Sequence, residues 1–323
     1  MIVRRAGFLT TVQDLGRTGY RASGVSVGGA LDPHALRVAN LLVANEENAA
    51  GLEITLGSVR LVFDSDRSIA WAGGPFEVRV RLGQLLSGRA TLVRAGQEVV
   101  ATAPSNGARA WLAVSGGIDV DPVLGSRSTD LRSHFGGWDG RALRDGDVMK
   151  LGQLSGRASR AMERLPGSGI AGWSAPNDWS NTRSSHGILR FVRGAESAQF
   201  PSGALIGTTF TATAESDRMG VRLDGLELTR TTNDDLISEA VAPGTIQVPP
   251  SGQPILLLGD CQTIGGYPKI AHVITVDLAA AAQLQVGDAV RFAEVTLQEA
   301  QSLLLQRERD LQWFRAALKL RVP

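Results

Sequence analysis

The chain holds a single cysteine, Cys261, so no intramolecular disulfide framework can staple it. That suits a reducing compartment. No uninterrupted run of about 18 apolar residues occurs, so no membrane-spanning helix is expected. Residues 1–7 carry no apolar stretch of signal-peptide length. These features lead to the expectation of a soluble cytoplasmic protein. Lysine is scarce: of 33 Lys and Arg residues, only Lys150, Lys269 and Lys319 are lysines. Aromatics make up 5% and the net charge is +1, with no basic stripe interleaved with aromatics, which argues against nucleic acid as the main partner. No G-x-x-x-x-G-K-[ST] occurs, so the chain has no P-loop of its own. The histidines, His34, His134, His186 and His272, are scattered and no H-E-x-x-H is present, so no metal site is expected.

With 323 residues, 43% hydrophobic and 20% charged, the chain is long enough for two ordinary domains with packed cores. Its 38 glycines punctuate short apolar runs at 59–63, 68–71, 77–82, 91–93, 110–114, 188–192, 245–248 and 289–292. Many short strands without alternating helices predict a mainly β fold, a barrel or sandwich architecture. Two helices stand apart. Asp32-Pro33 reads as an N-cap followed by proline at the first helical position, opening a helix toward Asn45. Thr296-Leu-Gln-Glu299 is a capping box opening an amphipathic C-terminal helix with Leu303, Leu304, Leu311, Phe314 and Leu318 on one face. Residues 153–186 are polar and rich in breakers and read as a connector. The division expected is 1–152, connector 153–186, 187–295 and helix 296–323. Two echoes cross the connector: Arg17-Thr-Gly-Tyr-Arg21 with Arg218-Met-Gly-Val-Arg222, and the Gly-Asp turns of 143–150 and 284–291. They read either as related β-rich halves or as coincidence in common turns.

The most informative stretch is 254–276. Two apolar runs, 255–258 and 270–276, read as buried strands. The loop between them carries Asp260, Cys261, Gln262, Thr263, Tyr267 and Lys269, with Gly265-Gly266 permitting positive φ and close approach of a ligand. A polar loop held by two strands is a place to present a site, and a plain hairpin turn is the alternative. Elsewhere, Ser115-Gly116-Gly117 after an apolar run suits an anion-binding nest, with a simple β-turn as the alternative. Arg127 and Arg218 suit a bidentate grip on a carboxylate or phosphate. Asp217 and Glu239 are candidate carboxylates for proton transfer or for orienting a cation. Gly28-Gly29 before a helix start offers N–H groups to an anion. Asn40 and Glu53 are polar groups in apolar surroundings that need partners. His34 reads as a surface helix residue. Val148-Met-Lys-Leu151 looks like a biotin-attachment tetrapeptide, but its place directly after a Gly-Asp turn at a domain end argues against that use.

Taken together, several blocks resemble one family. They are Thr-Val-Gln-Asp-Leu-Gly-Arg (11–17), Gly-Ala-Leu-Asp (29–32), Ala-Asn-Leu-Leu-Val-Ala-Asn (39–45), Leu-Glu-Ile-Thr-Leu-Gly (52–57), Val-Ser-Gly-Gly-Ile (114–118), Gly-Ser-Arg-Ser-Thr-Asp (125–130), Ser-Asp-Arg-Met-Gly (216–220) and Gly-Asp-Cys-Gln-Thr-Ile-Gly-Gly-Tyr-Pro-Lys (259–269). Their order and spacing are similar to those of the KipA / 5-oxoprolinase C-subunit family. That family is also called allophanate hydrolase subunit 2, or the biotin-dependent carboxyltransferase family. The resemblance covers roughly residues 1–300. It implies two cyclophilin-like β-barrel domains and two partner proteins, a KipI-like B subunit with a further A subunit. It implies that the complex opens 5-oxoproline to glutamate at the expense of ATP, held here by an unfamiliar loop or by another subunit. Two other settings follow from the same resemblance: a carboxyltransferase component working with biotin carried elsewhere, and a regulatory protein that binds a KipI-like partner. For the lactam reaction, Lys269, Arg127, Arg218 and the Gly-Gly loops are expected to surround developing negative charge, and Asp217, Glu239 or Asp260 to guide water.

Overall fold

The computed structural model describes every residue except 81–82, 181–186, 233–234 and 322–323. His186, the end of the strand expected over 77–82 and the end of the connector therefore lie outside the described residues. The chain divides into two compact units, one of Met1–Arg17, Asp32–Arg183 and Asp310–Pro323, the other of Thr18–Leu31 and Ser184–Arg309. Residues 18–31, expected in the N-terminal domain, thus belong to the second unit, and the described part of the 153–186 connector belongs to the first.

The first unit contains β1 (Ile2–Arg5), β2 (Leu9–Gln13), α1 (Pro33–Leu42), β3 (Gly51–Thr55), β4 (Ser58–Val62), β5 (Arg67–Gly73), β6 (Glu77–Val80), β7 (Gly83–Leu85), β8 (Thr91–Val93), β9 (Glu98–Thr102), β10 (Arg109–Val114), α2 (Gly156–Glu163) and α3 (Asn177–Ser180). Its strands form two five-stranded sheets, β1-β4-β9-β6-β7 and β2-β3-β10-β5-β8. One apolar core draws on both: Val3, Val59, Leu61, Val78 and Val99 from the first sheet, Leu52, Ile54, Ile69, Trp71 and Leu112 from the second. β10 is buried along its whole length, and β5 from Ser68 onward, because α1 packs on both strands and covers the sheet face turned away from the core. Continuous apolar runs are the signature of strands covered on both faces.

Local sequence signals account for the helices. The Asp32 carboxylate accepts from the Ala35 N–H at 2.9 Å, and Pro33 occupies the first turn. Asn40 is buried and satisfied: its amide donates to the Glu47 and Ala49 carbonyls, and its oxygen accepts from Asn45. Glu53 is buried and accepts from Trp111 Nε1 at 2.9 Å. His34, expected at the surface, is buried instead, because the Trp179 ring from α3 packs edge-on against it at 5.0 Å. Within the connector, Ser155 caps α2, and Ala158 and Ala161 bury against Ala44.

The biotin-like tetrapeptide is held in the first unit by its alternate residues Met149 and Leu151, while Val148 and Lys150 face solvent. Met149 donates to the Met1 carbonyl at 2.8 Å and is 1% exposed, and Leu151 bridges Ile118, so 148–151 runs from beside β1 to beside Ile118 instead of forming an exposed hairpin tip. The turn before it is the one echoed later in the chain. At Arg144–Asp147 the Asp147 carboxylate accepts from the Arg144 N–H, and at Gln285–Asp288 the Asp288 carboxylate accepts from the Gln285 N–H. The glycines between, Gly146 and Gly287, have φ of 92° and 89°, which a side chain would strain. The other echo is not a structural repeat: Gly19 has φ 95° in a turn, whereas Gly220 opens a strand.

The second unit contains β11 (Ile188–Arg193), β12 (Phe210–Ala212), β13 (Gly220–Asp224), β14 (Glu239–Ala240), β15 (Thr245–Gln247), β16 (Ile255–Leu257), β17 (Ile264–Gly265), β18 (Lys269–Val273), α4 (Leu278–Ala281), β19 (Ala289–Glu294) and α5 (Leu297–Arg321), the last extending past the unit's end. Seven strands close a barrel in the order β11-β18-β15-β16-β13-β12-β19, and β14 and β17 form a small separate ribbon. The chain is mainly β, and the closed ring belongs to this unit. The capping box holds: Thr296 N donates to Glu299 at 2.8 Å and Glu299 N donates to Thr296 at 3.2 Å. The apolar stripe expected along α5 is interrupted. Leu311 and Leu318 are buried and Leu303, Leu304 and Phe314 half-buried, but Leu305, Trp313 and Leu320 stand in solvent. No described helix is long and apolar enough to cross a membrane.

Candidate functional site

The loop between β16 and β18 is anchored before it is functional. Asp260 takes two N–H bonds from the Arg218 guanidinium, at 2.8 and 3.0 Å, and its own N–H donates to the Arg218 carbonyl at 3.1 Å. Both side chains are almost fully buried, at 4% exposed for Arg218 and 9% for Asp260. Arg218 also donates to the Gly29 carbonyl at 2.7 Å, and Gly28 N–H donates to the Gly259 carbonyl. The Gly28-Gly29 segment therefore clasps this loop. Asp217 accepts from the Met219 and Gly220 N–H groups, which makes it a turn-forming carboxylate. Cys261 is fully buried among Val241 and Leu257, and burial pushes its thiol up to about 11. A protonated, enclosed thiol is not a nucleophile.

The far end of the loop builds a different environment. β15 and β18 pair as Thr245↔His272, Ile246↔Ala271 and Gln247↔Lys269, with a register shift between the last two. Cross-strand partners share a face, and residues two apart on one strand share a face. The extra residue on β18, Ile270, therefore lets Lys269 and His272 lie on one side with Thr245 and Gln247. Strict alternation would have put them on opposite sides.

Lys269 is the centre of that polar face. It is 6% exposed, and its ammonium lies 3.3 Å from Glu196 and 3.1 Å from Glu239. Glu196 also accepts from the Lys269 backbone N–H at 2.8 Å, and its own N–H donates to the Lys269 carbonyl. Burial works against the ammonium, but Glu239 and Glu196 together more than offset it, so its pKa stands above the ordinary lysine value. The side chain is a fixed cation at neutral pH. His272 shares a hydrogen bond between Nδ1 and Thr245 Oγ1 at 3.2 Å. Burial, then the Lys269 charge, lowers its pKa, with Glu196 opposing, so the ring is neutral at pH 7. Gln262 donates to Gln247 at 3.2 Å, and Gln247 donates to the Tyr267 carbonyl. β14 pairs with β17 as Glu239↔Gly265 and Ala240↔Ile264, which sets Glu239 beside the loop. Thr263 is buried at the end of this ribbon, where its carbonyl accepts from Val241. Gly266 and Tyr267 are exposed.

Of the expected residues, Lys269, Glu239, Gln262, Thr263, Gly265, Gly266 and Tyr267 lie at this end of the loop, and Asp260 and Arg218 form its anchor. Arg127 and Ser115–Gly117 belong to the other unit. There, Arg127 Nε donates to the Val120 carbonyl and its backbone N–H to Asp14. The N–H groups of Ser115, Gly116 and Gly117 donate to Ser68 O, Asn45 Oδ1 and Val114 O, so this turn has none left for an anion. Glu196, His272 and Thr245 do not stand out in the sequence as site residues. A carboxylate just past an apolar strand and a histidine inside one were the available signals.

A β barrel carrying a buried lysine between two carboxylates is the class of site the fold defines. Residues 23–294 match the family described as carboxyltransferase domain, subdomain A and B, and the chain belongs to that family. It is 42% identical to the C subunit of 5-oxoprolinase from Escherichia coli, over 92% of this chain and 91% of the relative. It is 36% identical to the protein of the same name from Haemophilus influenzae, over 92% of each. Among solved structures, the Kluyveromyces lactis urea carboxylase superposes with a TM-score of 0.86 at 28% identity, over 97% of this chain and 29% of that one.

Proposed function

We propose that this chain is the C subunit of an ATP-dependent 5-oxoprolinase, a hydrolase of a cyclic amide that acts with a KipI-like B subunit together with an A subunit in the cytoplasm. The observation that carries this reading is the likeness to a C subunit of 5-oxoprolinase along 92% of this chain and 91% of that one. The match to the urea carboxylase, by contrast, takes in only 29% of the larger protein.

The chemistry suits the barrel site. A lactam is a poor electrophile. Transfer of the ATP γ-phosphoryl group to its carbonyl oxygen releases ADP and activates the ring carbon. Water adds there, the C–N bond breaks with the nitrogen taking a proton, and a second water releases phosphate to leave glutamate. Anionic oxygen accumulates at each stage, and a fixed cation stabilises it. Lys269 is such a cation, held in place by Glu196. His272, neutral at pH 7, is able to take the proton of an attacking water. Asp260 and Asp217 are engaged in the fold and Glu239 is taken up by the Lys269 ammonium, so guiding the water falls to His272 and not to one of the expected carboxylates. With no P-loop in this chain, the ATP site is assigned to another subunit.

Reconstitution with the companion subunits tests the reading. Glutamate should form from 5-oxoproline and ATP only when this chain is present, and Lys269→Met should cut the rate by about 100-fold or more. No glutamate from the full mixture refutes it. The carboxyltransferase reading is favoured by the family match itself. Carboxyl transfer to or from free biotin by this chain, with no glutamate from the full mixture, would decide for it.

A further inference from the structure

The two carboxylates on Lys269 are not equivalent. Glu196 holds the residue twice, through the ammonium and through the backbone N–H, and its side chain is only 12% exposed. It cannot leave without stranding a buried ammonium and a buried N–H. Glu239 touches the ammonium once, at 3.1 Å, with a side chain 61% exposed. It sits on a ribbon just two residues long on each strand, outside the barrel ladder. Glu196 alone neutralises Lys269. Glu239 adds a second negative charge, which leaves the cluster with one carboxylate more than the ammonium balances.

We propose that Glu239 is a stand-in for the carboxylate of the substrate: a ligand carboxylate replaces it on the Lys269 ammonium while Glu196 keeps the lysine in place. This rests on the reading that the barrel site takes 5-oxoproline, whose carboxylate is the group that makes the exchange. The exchange conserves charge, because one carboxylate returns to water as another leaves it. It also conserves geometry, because a carboxylate oxygen already fits at hydrogen-bond distance from the ammonium. The direction of release is set by exposure. The half-solvated Glu239 recovers its hydration by a side-chain rotation or a small shift of the ribbon. The ammonium would otherwise lose a partner, so between turnovers the internal carboxylate keeps its second contact filled. It also sets a threshold: neutral lactams have nothing to offer in exchange and gain no hold on Lys269.

The test uses the full-length chain and Glu239→Gln, with affinities measured by ligand-observed NMR titration and the fold checked by thermal melting. A contact between a solvated carboxylate and an ammonium already paired with another carboxylate is worth about 1 kcal/mol, or about five-fold in affinity. Removing the internal competitor should therefore tighten 5-oxoproline about three- to five-fold. Pyrrolidinone, the same ring without the carboxylate, and inorganic phosphate should bind as they do to the wild type. Lys269→Met should lose the 5-oxoproline signal. In the reconstituted complex Glu239→Gln should lower KM for 5-oxoproline by the same factor. Equal or weaker 5-oxoproline binding by a folded Glu239→Gln overturns the proposal, as does no binding to either protein. A gain for phosphate instead of 5-oxoproline overturns it too, because the displacing group would then be a phosphoryl oxygen. The two readings fail separately. A complex that makes glutamate with an unchanged KM in the variant sinks only the exchange. A variant that binds carboxylate more tightly in a chain that never yields glutamate sinks only the hydrolase.

Discussion

Asp260→Asn separates anchoring from chemistry at the loop before Lys269. In the native protein the Asp260–Arg218 pair is bidentate and nearly dry, with side-chain exposures of 9% and 4%. The asparagine keeps the shape and one acceptor oxygen but removes the charge, leaving the Arg218 guanidinium with the Gly29 carbonyl as a remaining acceptor. Taking one partner from a buried pair costs about 3–5 kcal/mol, against about 5–15 kcal/mol for a whole domain. The asparagine oxygen still accepts one N–H, so the lower end of that range is expected. Urea unfolding followed by near-ultraviolet circular dichroism should show the loss as a lower midpoint with an unchanged slope. Replacing both residues by apolar ones, Arg218→Met with Asp260→Leu, should recover much of it, because no charge is then stranded. At low temperature, where the single variant stays folded, glutamate formation by the reconstituted complex should fall by less than about tenfold. A variant with the wild-type midpoint and an activity loss beyond about 100-fold would refute this, and would make Asp260 a group that touches substrate.

Three further outcomes follow from the same geometry. Gly194→Ala would drive its Cβ into the Lys269 carbonyl oxygen, a backbone contact that cannot be relieved by a side chain. It should cost about 1–3 kcal/mol by overpacking and weaken 5-oxoproline binding, and a variant with native stability and affinity would contradict the packing described. Cys261, buried with its thiol at about 11, should resist iodoacetamide at pH 8 in the folded chain and react fully in urea; rapid native labelling would be inconsistent with the site. His272 has a folded pKa below its ordinary 6.5, so the folded chain binds fewer protons than the unfolded chain in that range. Its contribution to stability is complete above pH 6.5 and is lost as pH falls through the folded value, and His272→Gln should flatten that decline; an identical pH slope in the variant would argue against a neutral ring.

What could be read from the sequence was local. Asp32-Pro33 states a helix start within two residues, and Thr296 with Glu299 states another within four, because caps are made between near neighbours. The central strands were visible as apolar runs because both faces are covered. β1, β2 and β9 do not stand out in the sequence, since their mixture of Arg, Thr, Gln and Glu with apolar residues reads as weak alternation until the facing sheet is known. His34 reads as a surface residue because nothing nearby in the chain announces the Trp179 ring that buries it. The same limit applies to the charges: Asp217 and Asp260 look like free carboxylates until turn and guanidinium claim them.

The site shows the limit most sharply. Lys269 was conspicuous as one of three lysines on a loop dense with polar groups. Its partners were not, because they come from other strands and from the turn after β11, which only strand pairing brings near it. Lys269 and His272 are three residues apart on one strand, and a period of two assigns them to opposite faces. A single extra residue in β18 opposite Ile246 and Gln247 reverses that assignment and brings the ammonium and the imidazole to one face with Glu196. No residue in the motif encodes the bulge by itself. It follows from how β15 and β18 must pair to close the barrel, so the chemistry of this lysine is a property of strand pairing before it is a property of any motif.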